Sequence, residues 1–123
     1  MKKFLCFCLV LALCIPLIAC DHKQQFKLTI DTNSMEPVFS AGDTIIYEAV
    51  NTKNLQEGDI IAYWAVEDGQ RFVRVHRIVA IYDGGESLIF ETRGDNNAES
   101  DLQVVHESNV LGKYVRKLLF GFL

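Results

Sequence analysis

The chain has 123 residues, half of them hydrophobic, and a formal net charge of −4. All sixteen acidic residues lie beyond residue 20, with ten of the twelve basic ones, so residues 21–123 carry a formal −6. That balance is unsuited to nucleic acid, which is held by Lys and Arg on phosphates. The wealth of Val, Ile, Phe and Tyr excludes disorder, and the length allows one core but not two.

From Phe4 to Cys20 no residue is charged. Lys2 and Lys3 precede this run and Ala19-Cys20 closes it, the form of an export signal. Two readings fit. As an uncleaved signal anchor, the run makes roughly 25 Å of helix, slightly short of a ~30 Å hydrocarbon core, and spans it with local thinning. In the other reading, Leu17-Ile18-Ala19-Cys20 resembles a bacterial lipobox, with Cys20 lipidated as the mature N-terminus. Both leave the lysines in the cytoplasm. Both divide the chain into residues 1–20, a signal anchor or lipoprotein signal, and residues 21–123, an extracytoplasmic domain tethered to membrane lipid.

Phe26, Leu28 and Ile30 alternate with polar residues, which predicts a strand over Gln25–Asp31. Asp31-Thr32-Asn33-Ser34 is turn chemistry, followed by Pro37, the domain's one proline. Ala41-Gly42-Asp43 turns into a β-branched strand over Thr44–Val50. Asn51–Glu57 is a polar connection, and Gly58-Asp59 turns into the apolar strand Ile60–Val66. Beyond Glu67-Asp68-Gly69, Arg71–Tyr82 is a long strand. One face carries Val73, Val75, Arg77, Val79 and Ile81, and the other carries His76. Asp83-Gly84-Gly85 is a hairpin turn, with Ser87–Arg93 as partner strand. Gly94-Asp95-Asn96-Asn97 is a dense turn signal, and Val110–Val115 a last strand before the apolar tail Leu118–Leu123. The fold class is therefore mostly β: a small folded-sheet or barrel-like domain after one N-terminal membrane segment.

All four cysteines, Cys6, Cys8, Cys14 and Cys20, fall in the apolar run. The domain thus lacks internal disulfides and thiolate metal sites. His22, His76 and His106 are its histidines, and no HExxH-type spacing occurs, so no metal or cofactor is expected. Ser34 on a turn can serve as a nucleophile, although a loop serine usually has no such role. His76, if the valine row faces the core, faces a cleft or solvent. Asp95 and Asp101 flank the Asn96-Asn97 turn, where aspartates commonly satisfy local N–H groups.

Taken in order, the residues say more. Ser34-Met35-Glu36-Pro37, Gly42-Asp43, Gly58-Asp59-Ile60-Ile61, Val75-His76-Arg77-Ile78 and Gly94-Asp95-Asn96-Asn97 with Asp101 resemble the ordered boxes of the type I signal peptidases. The likeness runs from about Ser34 to Gly112. It is to the endoplasmic-reticulum and archaeal type, since His76-Arg77 stands where the usual bacterial type has a lysine base. The resemblance implies a Ser34 nucleophile, a His76 general base and Asp101 as its acidic partner. It implies for Asp95 a supporting role, or the alternative of orienting the imidazole itself. The physics agrees: a serine hydroxyl needs a base in reach, and a carboxylate on the far ring nitrogen fixes the tautomer. The backbone N–H of the nucleophile is the expected oxyanion donor.

Two features depart from the family. Cys20 ends the apolar run in lipobox fashion, where members usually keep an anchor. Residues 118–123 are too few for the second span of some relatives; they either pack on the core or touch the membrane interface. The implied function is a membrane-tethered serine endopeptidase of the outer face of the cytoplasmic membrane, removing signal peptides from exported preproteins. Alternatives are a specialised processing peptidase for a few surface proteins, or a non-catalytic β-domain surface lipoprotein.

Overall fold

The computed structural model describes residues 22–119, and among them no helix is long and apolar enough to cross a membrane. The apolar run with Cys20, and the tail beyond Leu119, lie outside the described residues.

Seven strands follow in order: β1 (Gln25–Thr29), β2 (Thr44–Glu48), β3 (Ile60–Glu67), β4 (Gln70–Asp83), β5 (Leu88–Arg93), β6 (Val105–His106) and β7 (Val110–Leu118). They form one antiparallel sheet in the order β1-β2-β7-β3-β4-β5-β6. Among the described residues the sheet is open, not a closed barrel, because β1 and β6 each pair on one side only. Single-turn 3-10 segments occupy Thr52–Asn54 and Glu107–Asn109.

The Asp68-Gly69 turn joins β3 to β4 with both residues at positive φ, 51° and 75°, the twist a two-residue hairpin needs. β3 is buried on both faces. Ile60 and Ala62 join Met35, Phe39, Ile45 and Val75 in one core cluster. Ile61, Tyr63 and Ala65 join Ile78, Phe90 and Val105 in a second, against the other face. Such a strand reads as a continuous apolar run, which is how Ile60–Val66 appears in the sequence.

Three expectations need correction. The alternation along Arg71–Tyr82 breaks at a bulge between Ile78 and Ala80, which puts Ile81 in the cluster of Ile78 and not in the valine row. The last strand continues past Val115 to Leu118, whose side chain is buried, so the start of the apolar tail is sheet. The short strand β6 falls in a stretch where no strand was expected; two residues leave no periodicity to read.

Candidate active site

Ser34 lies in the turn after β1. Its neighbours Met35 and Phe39 are both 1% exposed and sit in the first core cluster, so the turn is nailed down while Ser34 stays partly open. Hydrogen bonds from Glu36 N–H to the Asn33 carbonyl (3.2 Å) and from Val38 N–H to the Met35 carbonyl (2.9 Å) close two successive turns. The Glu36–Pro37 peptide bond is cis. Ala41 N–H donates to Asn33 Oδ1 at 2.9 Å, tying the turn to the approach of β2.

His76 projects from β4. Its ring is 4% exposed, so it lies in the wall of a cleft and does not face solvent. His76 Nε2 is 3.0 Å from Ser34 Oγ, and Nδ1 is 2.6 Å from Asp101 Oδ2. A carboxylate only accepts, so Nδ1 carries the proton and Nε2 is free to accept from Ser34. The Thr32 hydroxyl, 3.1 Å from Ser34 Oγ, is then the donor in that contact, since Ser34 has one proton and it points at Nε2.

Asp101 Oδ2 also accepts from Thr92 Oγ1 at 2.7 Å and from Tyr63 OH at 3.0 Å. Burial pushes the Asp101 carboxyl up, but the hydrogen bonds from His76, Thr92 and Tyr63 outweigh it and hold the group below its ordinary value. Burial, opposed by the Thr92 hydrogen bond and reinforced by the Asp101 charge, pushes the Tyr63 hydroxyl up, so it remains protonated as a donor.

Asp95 does not touch the imidazole. It forms a two-point ion pair with Arg77, at 2.8 Å to Nε and 2.6 Å to Nη2, while Arg77 Nη1 donates to the Gly58 carbonyl at 2.7 Å. The guanidinium holds the Asp95 carboxyl below its usual range. This clamp ties the Gly94–Asn97 turn to β4 and to the turn before β3. The same turn meets the serine: Asn96 N–H donates to the Ser34 carbonyl at 2.8 Å, and Asn96 Nδ2 to the Asn33 carbonyl at 3.2 Å. A Cβ on Gly94 would stand 2.6 Å from the Ser34 carbonyl oxygen, closer than real contacts allow. Gly94→Ala is therefore expected to push the two turns apart. A shift of about 1 Å at Ser34 would break its 3.0 Å contact with His76, and a folded Gly94→Ala protein is expected to show a lower thermal midpoint and a changed His76 ring resonance.

The three side chains open onto a groove of about 780 Å³ between Leu28 of β1, with Ile30 just beyond it, and β4 (Phe72, Val73, Val75). No lysine lines it. Lys113 pairs with Asp59, Lys117 with Asp43 and Lys23 with Glu48 instead. His106 is exposed on β6, away from the groove, and His22 precedes β1. Among the described residues no group of His, Cys, Asp or Glu is placed to hold a metal ion. Thr32, Tyr63 and Thr92 carry no sequence signal of their contacts: one reads as a turn residue, one as a core aromatic and one as a strand former.

No family model matches the chain, and no solved structure matches it significantly. Curated proteins do. Signal peptidase I W of Bacillus subtilis is 42% identical over 84 residues, 68% of this chain and 43% of that protein. The signal peptidase complex catalytic subunit SEC11 of Candida tropicalis is 38% identical over 91 residues, 73% of this chain and 51% of that protein. The SEC11 subunit of Saccharomyces cerevisiae is 34% identical over 74 residues, 59% of this chain and 42% of that protein. The chain spans about half the length of the curated relatives it matches. Over most of its length, this chain is a homologue of the signal peptidases, bacterial and eukaryotic.

Proposed function

We propose that the protein is a serine endopeptidase that removes N-terminal signal peptides from exported preproteins. The observation that carries this reading is the chain of contacts Ser34 Oγ–His76 Nε2–Asp101 in an open groove, at 3.0 and 2.6 Å. Ser34 Oγ attacks the scissile carbonyl carbon, and its proton passes to His76 Nε2. The backbone N–H of Ser34 donates to the oxyanion. Collapse of the tetrahedral intermediate breaks the C–N bond, and Nε2 returns the proton to the leaving amine. Water, deprotonated by the same nitrogen, then frees the acyl group from Ser34. Asp101 stabilises the imidazolium throughout. The substrate lies extended along the outer edge of β1, which among the described residues pairs only with β2 and whose end borders the groove.

Purified protein incubated with a signal-bearing preprotein tests the activity. Release of the mature fragment, lost in Ser34→Ala, is the expected result; no cleavage by the folded wild type speaks for a non-catalytic surface protein. Residues 1–20 serve in this reading as the membrane tether, with residues 21–123 on the extracytoplasmic side. If Cys20 is the anchor, cells should incorporate labelled palmitate into the protein, and Cys20→Ala should abolish the label. An unlabelled wild type with an intact N-terminus by mass spectrometry assigns the tether to the apolar segment itself.

A further inference from the structure

Asp101 sits on the irregular segment between β5 and β6. A group that orients a catalytic ring has to be held to within about 0.5 Å, and loops are the more mobile parts of a fold. Here two hydroxyls from the sheet grip one carboxylate oxygen. Thr92 Oγ1, on β5, is 2.7 Å from Asp101 Oδ2, and Tyr63 OH, on β3, is 3.0 Å from it. The Asp101 N–H also donates to the Thr92 carbonyl at 2.8 Å, so Thr92 holds Asp101 at two points. The two hydroxyl oxygens are 3.0 Å apart.

Two hydroxyl protons serve three oxygen–oxygen contacts. The Thr92 proton goes to Asp101. The Tyr63 proton goes to Asp101 directly, or to Thr92 Oγ1 as the first link of a relay. Either way Thr92 is a direct donor, and Tyr63 is either a second donor or the support of the first. Thr92 is wholly buried and Tyr63 is 3% exposed. Valine and phenylalanine fill such positions without polar atoms to satisfy, and a buried hydroxyl costs free energy unless it is paired. Among the described residues these hydroxyls bond only to each other and to Asp101. Their polar atoms therefore serve the carboxylate and nothing else in the core.

We propose that Thr92 and Tyr63 are positioning residues: they fix the Asp101 carboxylate on His76 Nδ1, and act on the reaction only through it. The proposal rests on the Ser34–His76–Asp101 reading above and deepens it. Wild type, Thr92→Val, Thr92→Ser and Tyr63→Phe are to be compared in two measurements. One is steady-state cleavage of a signal-bearing preprotein. The other is the proton resonance of the His76–Asp101 hydrogen bond in protein labelled with ¹⁵N-histidine, where a short, charge-assisted contact gives a far-downfield signal.

Thr92→Val is expected to lower kcat by roughly 10- to 100-fold with KM unchanged, as deletion of an orienting partner does elsewhere. Tyr63→Phe lowers it several-fold, on the order of a lost supporting hydrogen bond, and Thr92→Ser retains most of the wild-type rate. The resonance moves or broadens in Thr92→Val and Tyr63→Phe and stays in place in Thr92→Ser. An unmoved resonance in folded Thr92→Val and Tyr63→Phe overturns the proposal whatever kcat does, since a fall in rate alone then reports stability. A wild type that cleaves nothing while the resonance moves as expected upholds the positioning and overturns the peptidase reading instead.

Discussion

Ser34→Ala is expected to abolish preprotein cleavage, a fall of about four to six orders of magnitude in kcat, with the fold unchanged. Among the described residues the Ser34 hydroxyl is the one bonded to the His76 ring, at 3.0 Å, and in the proposed mechanism alanine at that position leaves the base with nothing to activate. The structural cost is small. The side chain of Ser34 bonds only to His76 and to the exposed Thr32, while the turn is held by the burial of Met35 and Phe39 and by its backbone. Circular dichroism and the thermal midpoint should therefore match wild type. A folded Ser34→Ala protein that still cleaves at near the wild-type rate would falsify the nucleophile assignment.

Asp101→Asn is expected to cost at least about 10²-fold in kcat, far more than Asp95→Asn. Thr92 and Tyr63 donate to the same oxygen that faces Nδ1, so asparagine keeps its amide oxygen there and the ring keeps its tautomer. The loss is that of the negative charge that would stabilise the imidazolium. Asp95→Asn breaks the ion pair with Arg77 and leaves the imidazole untouched, so its effect falls on the Gly94–Asn97 turn and on stability. Comparable losses in the two variants would refute this division. The pH dependence of stability carries the same signature. Both carboxyls are held below their ordinary values in the folded state. The stability they add is full above the unfolded carboxyl value of about 3.9 and is lost as pH falls through the lower folded values. Denaturant titrations below about pH 4 should show each Asn variant with a shallower acid loss than wild type.

Much of this was written in the chain. Glu67-Asp68-Gly69 marked a turn, alternation and β-branched runs marked six of the seven strands, and the resemblance of the short boxes singled out Ser34, His76, Asp101 and Asp95, of which the structure brings the first three into contact. What the chain did not disclose is non-local. β7 lies between β2 and β3, far from either in sequence, and no period announces which strands will be neighbours. The face of His76 was legible from alternation, but not what covers it: β3, β5 and the Asp101 segment come from three separate places. The resemblance put Asp101 ahead of Asp95 as the partner of His76 and left the alternative open; in the structure Asp95 pairs with Arg77, next to His76 on the opposite face of β4, and Asp101 lies against Nδ1. The bulge after Ile78 was invisible because either register of that strand puts apolar residues on both faces.

The stretch from Gly94 to Asp101 braces the Ser34 carbonyl at its start and supplies the His76 partner at its end. It runs outside the sheet, and most of it is exposed. Segments of that kind open locally at free energies below that of global unfolding. One opening of this segment would remove the Asp101 contact with His76 and the brace on the Ser34 carbonyl together, with the seven strands intact. Amide exchange at Asn96 and Asp101 is therefore expected to be faster than in β3 and β4, and to lead the unfolding transition when denaturant is added.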